Sequence, residues 1–137
     1  MKFIGFNLIK IGAEKLSSDF KGLKIENSIK IDAINSTEAD FFKKDEEVLQ
    51  IVFNYTLNYN PNIAKLAFSG SVILLVDQKD AKKILKQWEE KKIPEEIKIS
   101  LFNFILRKTN IKALELEEEL NLPLHVSFPS LKLQKKE

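Results

Sequence analysis

The chain contains no cysteine, a single histidine and only four glycines among its 137 residues. Without cysteine, disulfide scaffolds, zinc ribbons, iron–sulfur clusters and cysteine nucleophiles are excluded. One histidine, His125, cannot form a histidine metal cluster or a two-histidine acid–base pair within one chain. The glycines are isolated at positions 5, 12, 22 and 70, so neither of the glycine-rich phosphate-binding motifs occurs. We therefore expect no cofactor and no metal.

Residue patterns typical of catalysis are also missing. No serine stands in a Gly-x-Ser-x-Gly context, and the carboxylates belong to a chain that is 31% charged, where a solvated acid is the ordinary interpretation. We interpret His125, which stands between Leu124 and Val126, as a structural or surface residue. The sequence predicts no catalytic residue and favours a protein that is not an enzyme.

Positive charge is supplied almost entirely by lysine. Lysine and arginine total 22 against 20 acidic residues, for a net charge of +2, and Arg107 is the only arginine. Arginine supplies the bidentate fork that recognises guanine and phosphate, whereas the lysines between 79 and 92 are interspersed with acidic residues. This pattern favours a solvated surface and predicts no nucleic-acid partner.

Long apolar runs are missing as well. The longest, Val72–Val76, has the length of a strand and falls far short of the roughly 18 residues of a membrane-spanning helix. Asn7 and Lys10 interrupt the apolar N-terminus, and no small-residue cleavage site follows it. We therefore expect no membrane insertion and a cytoplasmic location.

The hydrophobic period changes near residue 77. Before it, apolar and polar residues alternate over 3–12, 23–33, 48–59 and 63–76, which predicts four antiparallel strands. After it, helical spacing runs from about 78 to 92 and again from Pro94, with a short helical segment over 111–120. The length predicts a single domain over 1–137, with the sheet in 1–77, helices in 78–120 and an extended tail in 121–137. The predicted fold class is α+β, a four-stranded antiparallel sheet followed by two helices packed on the sheet.

Two details of the strands carry further expectations. The alternation in 23–33 assigns Ile29, Ile31 and Ala33 to the buried face. Gly70 stands in mid-strand, where glycine marks a bulge, a close approach of another backbone, or only a small residue.

Apolar residues exceed what one sheet can cover. Seven of the ten residues from Ile97 to Leu106 are apolar, and they occupy two sides of the predicted helix. Others stand outside the regular periods, namely Leu16, Phe20, Phe41, Phe42, Val126 and Phe128. Such a surplus is typical of an apolar groove or an oligomer interface.

The order of elements and three stretches of sequence resemble the SecB-like export chaperones. The stretches are the predicted hairpin from Val48 to Val76 with its Gly70, the helix opening Ile93-Pro94-Glu95-Glu96-Ile97, and Leu120-Asn121-Leu122-Pro123-Leu124-His125-Val126. The resemblance implies an ATP-independent holdase whose partners are non-native polypeptides, with a role in protein transport. It also implies a homo-oligomer, a dimer or a tetramer.

By position, the resemblance places a peptide-binding groove between the first crossover loop and the long helix. Its candidate residues are Leu16, Phe20 and Leu23 opposite Leu101, Phe102, Ile105 and Leu106. Ile99, Val126 and Phe128 are candidates for oligomer or tail contacts.

Two other functions stay open at this point. The apolar surplus also fits a module that binds a small apolar ligand between the sheet and the long helix. It equally fits a structural subunit whose apolar helix is only an oligomer seam.

Overall fold

A computed structural model describes residues 1–37 and 45–133. The element order is β1 (Lys2–Lys15), β2 (Lys24–Thr37), β3 (Glu46–Asn60), β4 (Ala64–Asp77), α1 (Gln78–Trp88) and α2 (Glu95–Leu120). The α+β class, with four strands followed by two helices, is confirmed. Phe41 and Phe42, two residues of the predicted apolar surplus, lie outside the described residues.

The strands form one antiparallel sheet in the order β1-β4-β3-β2. A short turn joins β3 to β4, with Asn62 at a φ of 52° and a cis peptide bond between Asn60 and Pro61. The loop over 16–23 connects β1 to β2, which lies at the opposite edge of the sheet. β1 and β2 are consequently the two edge strands.

One face of the sheet holds the core. Its large, fully buried side chains are Leu49, Ile51, Phe53, Tyr55, Leu57, Tyr59, Leu66, Phe68 and Leu74, all of them on β3 and β4. Both helices pack on this face and contribute Ile84, Leu101 and Ile105. On the opposite face the strands carry polar pairs, such as Ser28 with Thr56, whose hydroxyls lie 2.7 Å apart.

A bulge in β2 changes which residues face the core. The register between β2 and β3 shifts between Ile31 and Ala33, so that Asp32 is the extra residue. Ile34 therefore pairs with Ile51 on the buried face, while Ala33 pairs with Val52 on the other. The expected burial of Ala33 was wrong, because strict alternation cannot detect an inserted residue.

Gly70 is a site of close backbone approach, one of the interpretations that the sequence left open. It pairs with Leu8 of β1, next to a register shift between Leu8 and Lys10. A Cβ at Gly70 would overlap the carbonyl oxygen of Asn7 and lie 3.2 Å from the Cα of Leu8. Only a glycine lets the two strands approach this closely here.

α1 begins where a side chain caps it. Asp77 accepts a hydrogen bond from the backbone N–H of Asp80 at 2.7 Å, which satisfies one unpaired donor of the first turn. Ala81 and Ile84 then face the core. α1 ends at Trp88, a few residues before the predicted limit.

α2 is one continuous helix of 26 residues, so the predicted separate segment over 111–120 is its C-terminal part. Its buried residues are spaced by four, namely Leu101, Ile105, Thr109, Ala113 and Glu117. Asn121 ends the helix in the left-handed conformation, a common C-terminal cap. Neither α1 nor α2 is long and apolar enough to cross a membrane, and they are the helices in the part of the chain that the structure describes.

Candidate functional site

An open groove lies between β2, α1 and the beginning of α2. Its volume is about 1240 Å³. The apolar part of its lining consists of Met1, Ile29, Ile31, Val76, Trp88, Ile93, Pro94, Ile97 and Phe102. The rest of the lining is polar, with Gln87, Ser100 and charged side chains of both signs, namely Lys30, Asp32, Asp80, Lys83, Lys91, Lys92, Glu95, Glu96 and Lys98. An apolar floor with a charged rim suits a ligand that has apolar side chains and a polar backbone.

A lysine ammonium lies over each of two aromatic rings of this groove. The ammonium of Lys91 lies 4.7 Å from the ring centroid of Trp88, and that of Lys98 lies 5.7 Å from the ring centroid of Phe102. Such cation–π contacts at exposed sites contribute about 0.5–1 kcal/mol, so an entering side chain can displace them.

The groove also borders a free sheet edge. β2 pairs with β3 on one side and with no strand on the other, within the described chain. Ile29, Lys30, Ile31 and Asp32 of this edge strand line the groove. Unpaired backbone N–H and C=O groups beside an apolar groove can accept an extended polypeptide as an additional strand.

The structure separates the residues of the candidate groove. Leu101 and Ile105 are fully buried in the core, and Leu106 is half-buried against it. Phe102 is half-buried and lines the groove described above.

The crossover loop meets the other end of α2. The ammonium of Lys15, at the end of β1, donates to the carbonyl oxygen of Leu120 at 2.9 Å and lies 5.7 Å from the ring centroid of Phe20. Phe20 and Leu23 pack against the core, and Leu16 is exposed. The loop residues are therefore placed beside the C-terminal end of α2 rather than beside Leu101.

The candidate contact residues on α2 and in the tail are accessible to different degrees. Ile99 is 60% exposed and Phe128 is 58% exposed, whereas Val126 is half-buried. Part of the apolar surplus on α2 is covered within the chain, because the ring of Phe104 stacks on Phe3 of β1 at a centroid distance of 4.5 Å.

A second cluster, here called the clasp, joins the tail to the core. It consists of Glu117, His125, Tyr59 and Asn110. The buried Glu117 carboxylate accepts hydrogen bonds from the Tyr59 hydroxyl and from the backbone N–H of His125, the latter at 2.9 Å. The Nδ1 atom of His125 lies 2.7 Å from the second carboxylate oxygen, and its Nε2 atom lies 2.9 Å from Asn110 Oδ1. One carboxylate thus links the sheet, α2 and the tail.

The clasp has no lysine or arginine within ion-pair distance among the described residues. The His125 ring, with only 4% of its side chain exposed, is the one basic group at the Glu117 carboxylate in that part of the chain. Burying a carboxylate costs free energy unless hydrogen-bond donors surround it. Because the tail supplies His125 to Glu117, it contributes directly to the stability of the core.

Both tyrosines of the chain lie beside this carboxylate and are fully buried. Burial raises the pKa of Tyr59, and the hydrogen bond to Glu117 raises it further. Burial also raises the pKa of Tyr55, an effect that the nearby Asn27 amide opposes. The Tyr55 hydroxyl has no hydrogen bond of good geometry to the described residues.

We predict that neither tyrosine ionises in the folded protein near pH 10, the ordinary value for a phenol. Because the pKa of both groups is raised by folding, the stability they contribute is present below about pH 10 and is lost as the pH rises above it. Tyrosinate absorbance should appear only when the protein unfolds. A titration of the folded protein with a midpoint at the free-tyrosine value would contradict this, and Tyr59→Phe identifies the signal of Tyr55.

Sequence reasoning missed much of both sites. Trp88 has core spacing on α1, and nothing local shows that it faces a groove between elements distant in sequence. For Glu117 a signal existed, since it continues the spacing of four from Leu101 through Ala113. The acidic neighbours Glu115 to Glu119 concealed it by suggesting a uniformly solvated face.

Comparisons with known proteins give a likeness of fold. No family model matches the sequence, and no curated protein matches it. Among solved structures, the chain is similar to the Mycobacterium tuberculosis Rv1957 SecB-like chaperone, determined in complex with a ChAD peptide from the Rv1956 HigA1 antitoxin. The match covers 98% of this chain and 92% of that one, at 13% sequence identity and a TM-score of 0.51. The chain therefore has the fold expected from its resemblance to the SecB-like chaperones.

Proposed function

We propose that the protein is an ATP-independent holdase that binds extended segments of non-native polypeptides. The observation that carries this proposal is the groove itself, whose apolar lining lies beside the free edge of β2. The solved structure with the same fold is of a chaperone holding a peptide, which supports this class of ligand.

The binding mode follows from the two parts of the site. The backbone of a client pairs with the edge of β2 near Ile29 and Ile31, while every second side chain of the client enters the groove. Burying each large apolar side chain stabilises by roughly 1.5–3 kcal/mol, so a few of them hold a segment without a sequence code. Binding of this kind requires neither nucleotide nor cofactor.

The proposal also includes the oligomeric state of the protein and the cellular location of its clients. Exposed apolar side chains on the β1 edge and on α2, namely Ile9, Ile11 and Ile99, support a homo-oligomer of two or four copies. The clients are chains that are still unfolded in the cytoplasm, including those awaiting transport.

We predict that Phe102→Ser weakens binding of an unfolded client peptide by about tenfold or more, because it removes one large apolar side chain from the groove. Trp88, the only tryptophan, lines the same groove and reports binding by fluorescence. Suppression of aggregation of a denatured model protein, without nucleotide, should decline in parallel.

The matched control is Ile111→Ser, which removes an exposed apolar residue of α2 that does not line the groove. It should bind clients as the parent does, and the solution mass of both variants should match the parent. If the parent fails to suppress aggregation at stoichiometric amounts, or if Phe102→Ser and Ile111→Ser behave alike, the proposal is wrong.

A further inference from the structure

The tail is directed back along α2 after the helix ends. The backbone N–H of Leu122 donates to the carbonyl oxygen of Glu117 at 2.8 Å, and His125 then bonds to the side chains of Glu117 and Asn110. Asn110 lies two turns before Glu117, toward the helix N-terminus. The backbone of His125 is held at the Glu117 carboxylate, so the chain leaves the clasp beside the C-terminal third of α2.

One flank of α2 connects the clasp to the groove. Residues spaced by four share a side of a helix, and Asn110 is followed toward the N-terminus by Leu106, Phe102 and Lys98. Asn110 belongs to the clasp, whereas Phe102 and Lys98 line the groove. The tail is therefore anchored on the same flank of α2 that forms one wall of the groove.

The tail beyond the clasp has the chemistry that the groove accepts. Phe128 is more than half exposed, and Leu131 and Leu133 are fully exposed, in a segment without helix or strand. Lys132 stands between the two leucines, and the groove carries charged side chains of both signs around its apolar lining. An exposed extended segment with several large apolar side chains resembles the clients proposed above.

The length of the tail matches the distance. Glu117 and Phe102 are 15 residues apart on the helix, or about 22 Å, and an extended chain covers this in about seven residues. Leu131 and Leu133 thus reach the level of Phe102.

We infer that the segment from Val126 to Leu133 is a strap that occupies the groove when no client is bound, with the clasp as its fixed root. This inference rests on the proposed function, because the strap would regulate the binding of clients in the groove. In the structure the strap stands open, with Phe128, Leu131 and Leu133 in solvent. Clients and the strap compete for one site, and the strap prevents the exposed groove from associating with other molecules.

The first test measures competition. A tethered segment has an effective concentration in the millimolar range, so removing a weak intramolecular competitor tightens client binding by roughly three- to tenfold. A chain ending at Val126, which keeps the clasp, should show this gain. The full-length variant with Phe128→Ser, Leu131→Ser and Leu133→Ser should show the same gain, while Ile111→Ser, on α2 outside the groove, should show none.

The second test locates the strap without a client. Because the chain has no cysteine, Ser130→Cys gives a unique position for a nitroxide label, which quenches tryptophan fluorescence at short range. The label should quench Trp88, whereas a label at Lys10→Cys on β1 should not. Addition of a saturating apolar peptide should restore the fluorescence.

The outcomes separate the two proposals. If peptides bind equally to the full and shortened chains and the label at position 130 does not quench Trp88, the strap is wrong and the holdase proposal stands. If the label quenches Trp88 but no peptide binds to any variant, the strap exists and the holdase proposal is wrong.

Discussion

Replacement of His125 by alanine is expected to lower the free energy of unfolding by about 3 kcal/mol, because it removes a hydrogen-bonding ring from a fully buried carboxylate. The Glu117 carboxylate would remain fully buried and would keep only the Tyr59 hydroxyl and the backbone N–H of residue 125 as donors. Urea unfolding followed by circular dichroism measures the change. None of the exposed residues of the tail is expected to have a comparable effect.

The double-mutant cycle with Glu117→Gln distinguishes this cause from a general loss of packing. In the Glu117→Gln background no buried charge is left without its partner, so His125→Ala should cost much less there. An equal cost in both backgrounds would show that His125 acts by packing alone. Phe128→Ser, three residues further along the exposed tail, should leave stability within about 0.5 kcal/mol of the parent.

Gly70→Ala should be comparably damaging, with a loss of about 3 kcal/mol or more. A Cβ at this position overlaps the carbonyl oxygen of Asn7, and the carbonyl carbon of Asn7 and the Cα of Leu8 lie 3.2 Å away. Backbone cannot rotate out of the way as a flexible side chain can, so β1 must separate locally from β4. We expect increased hydrogen exchange along β1 and a lower midpoint of thermal unfolding.

Gly12→Ala is the matched control for Gly70→Ala because it changes the same pair of strands. A Cβ at Gly12 would lie 3.6 Å from the carbonyl oxygen of Ala67, which is an ordinary contact. This variant should be close to the parent in stability. If both variants destabilise equally, the effect of Gly70→Ala reflects loss of glycine flexibility in strands rather than the steric overlap with β1.

The sequence predicts the regular part of this fold because each element has its own period. Alternation predicts the hairpin over 48–76, and the structure has β3 and β4 there. The bulge at Asp32 and the continuity of α2 past Arg107 escaped detection. A bulge is decided by pairing with β3, and the length of α2 by its packing on the sheet, so neither is visible in one segment alone.

The sequence predicts the apolar character of the candidate site better than it predicts which residues form the site. The apolar surplus on α2 predicts a groove that includes Phe102, yet it could not show that Leu101 and Ile105 are sealed in the core. Trp88 and Ile31 come from separate elements, and only the folded chain places them around one groove. Sites assembled from distant segments require the packing angles of the helices, which local patterns do not contain.

The position of β1 at the edge of the sheet determines when it can fold during synthesis. Its residues pair only with β4, and the paired residues lie between 49 and 73 positions apart in the chain. At a translation rate of about 5–20 residues per second, Leu75 follows Lys2 after roughly 4 to 15 seconds. Of the four strands, the first to be made thus waits longest for its partner, and the nascent chain exposes Phe3 and Phe6 until β4 and then Phe104 of α2 have left the ribosome.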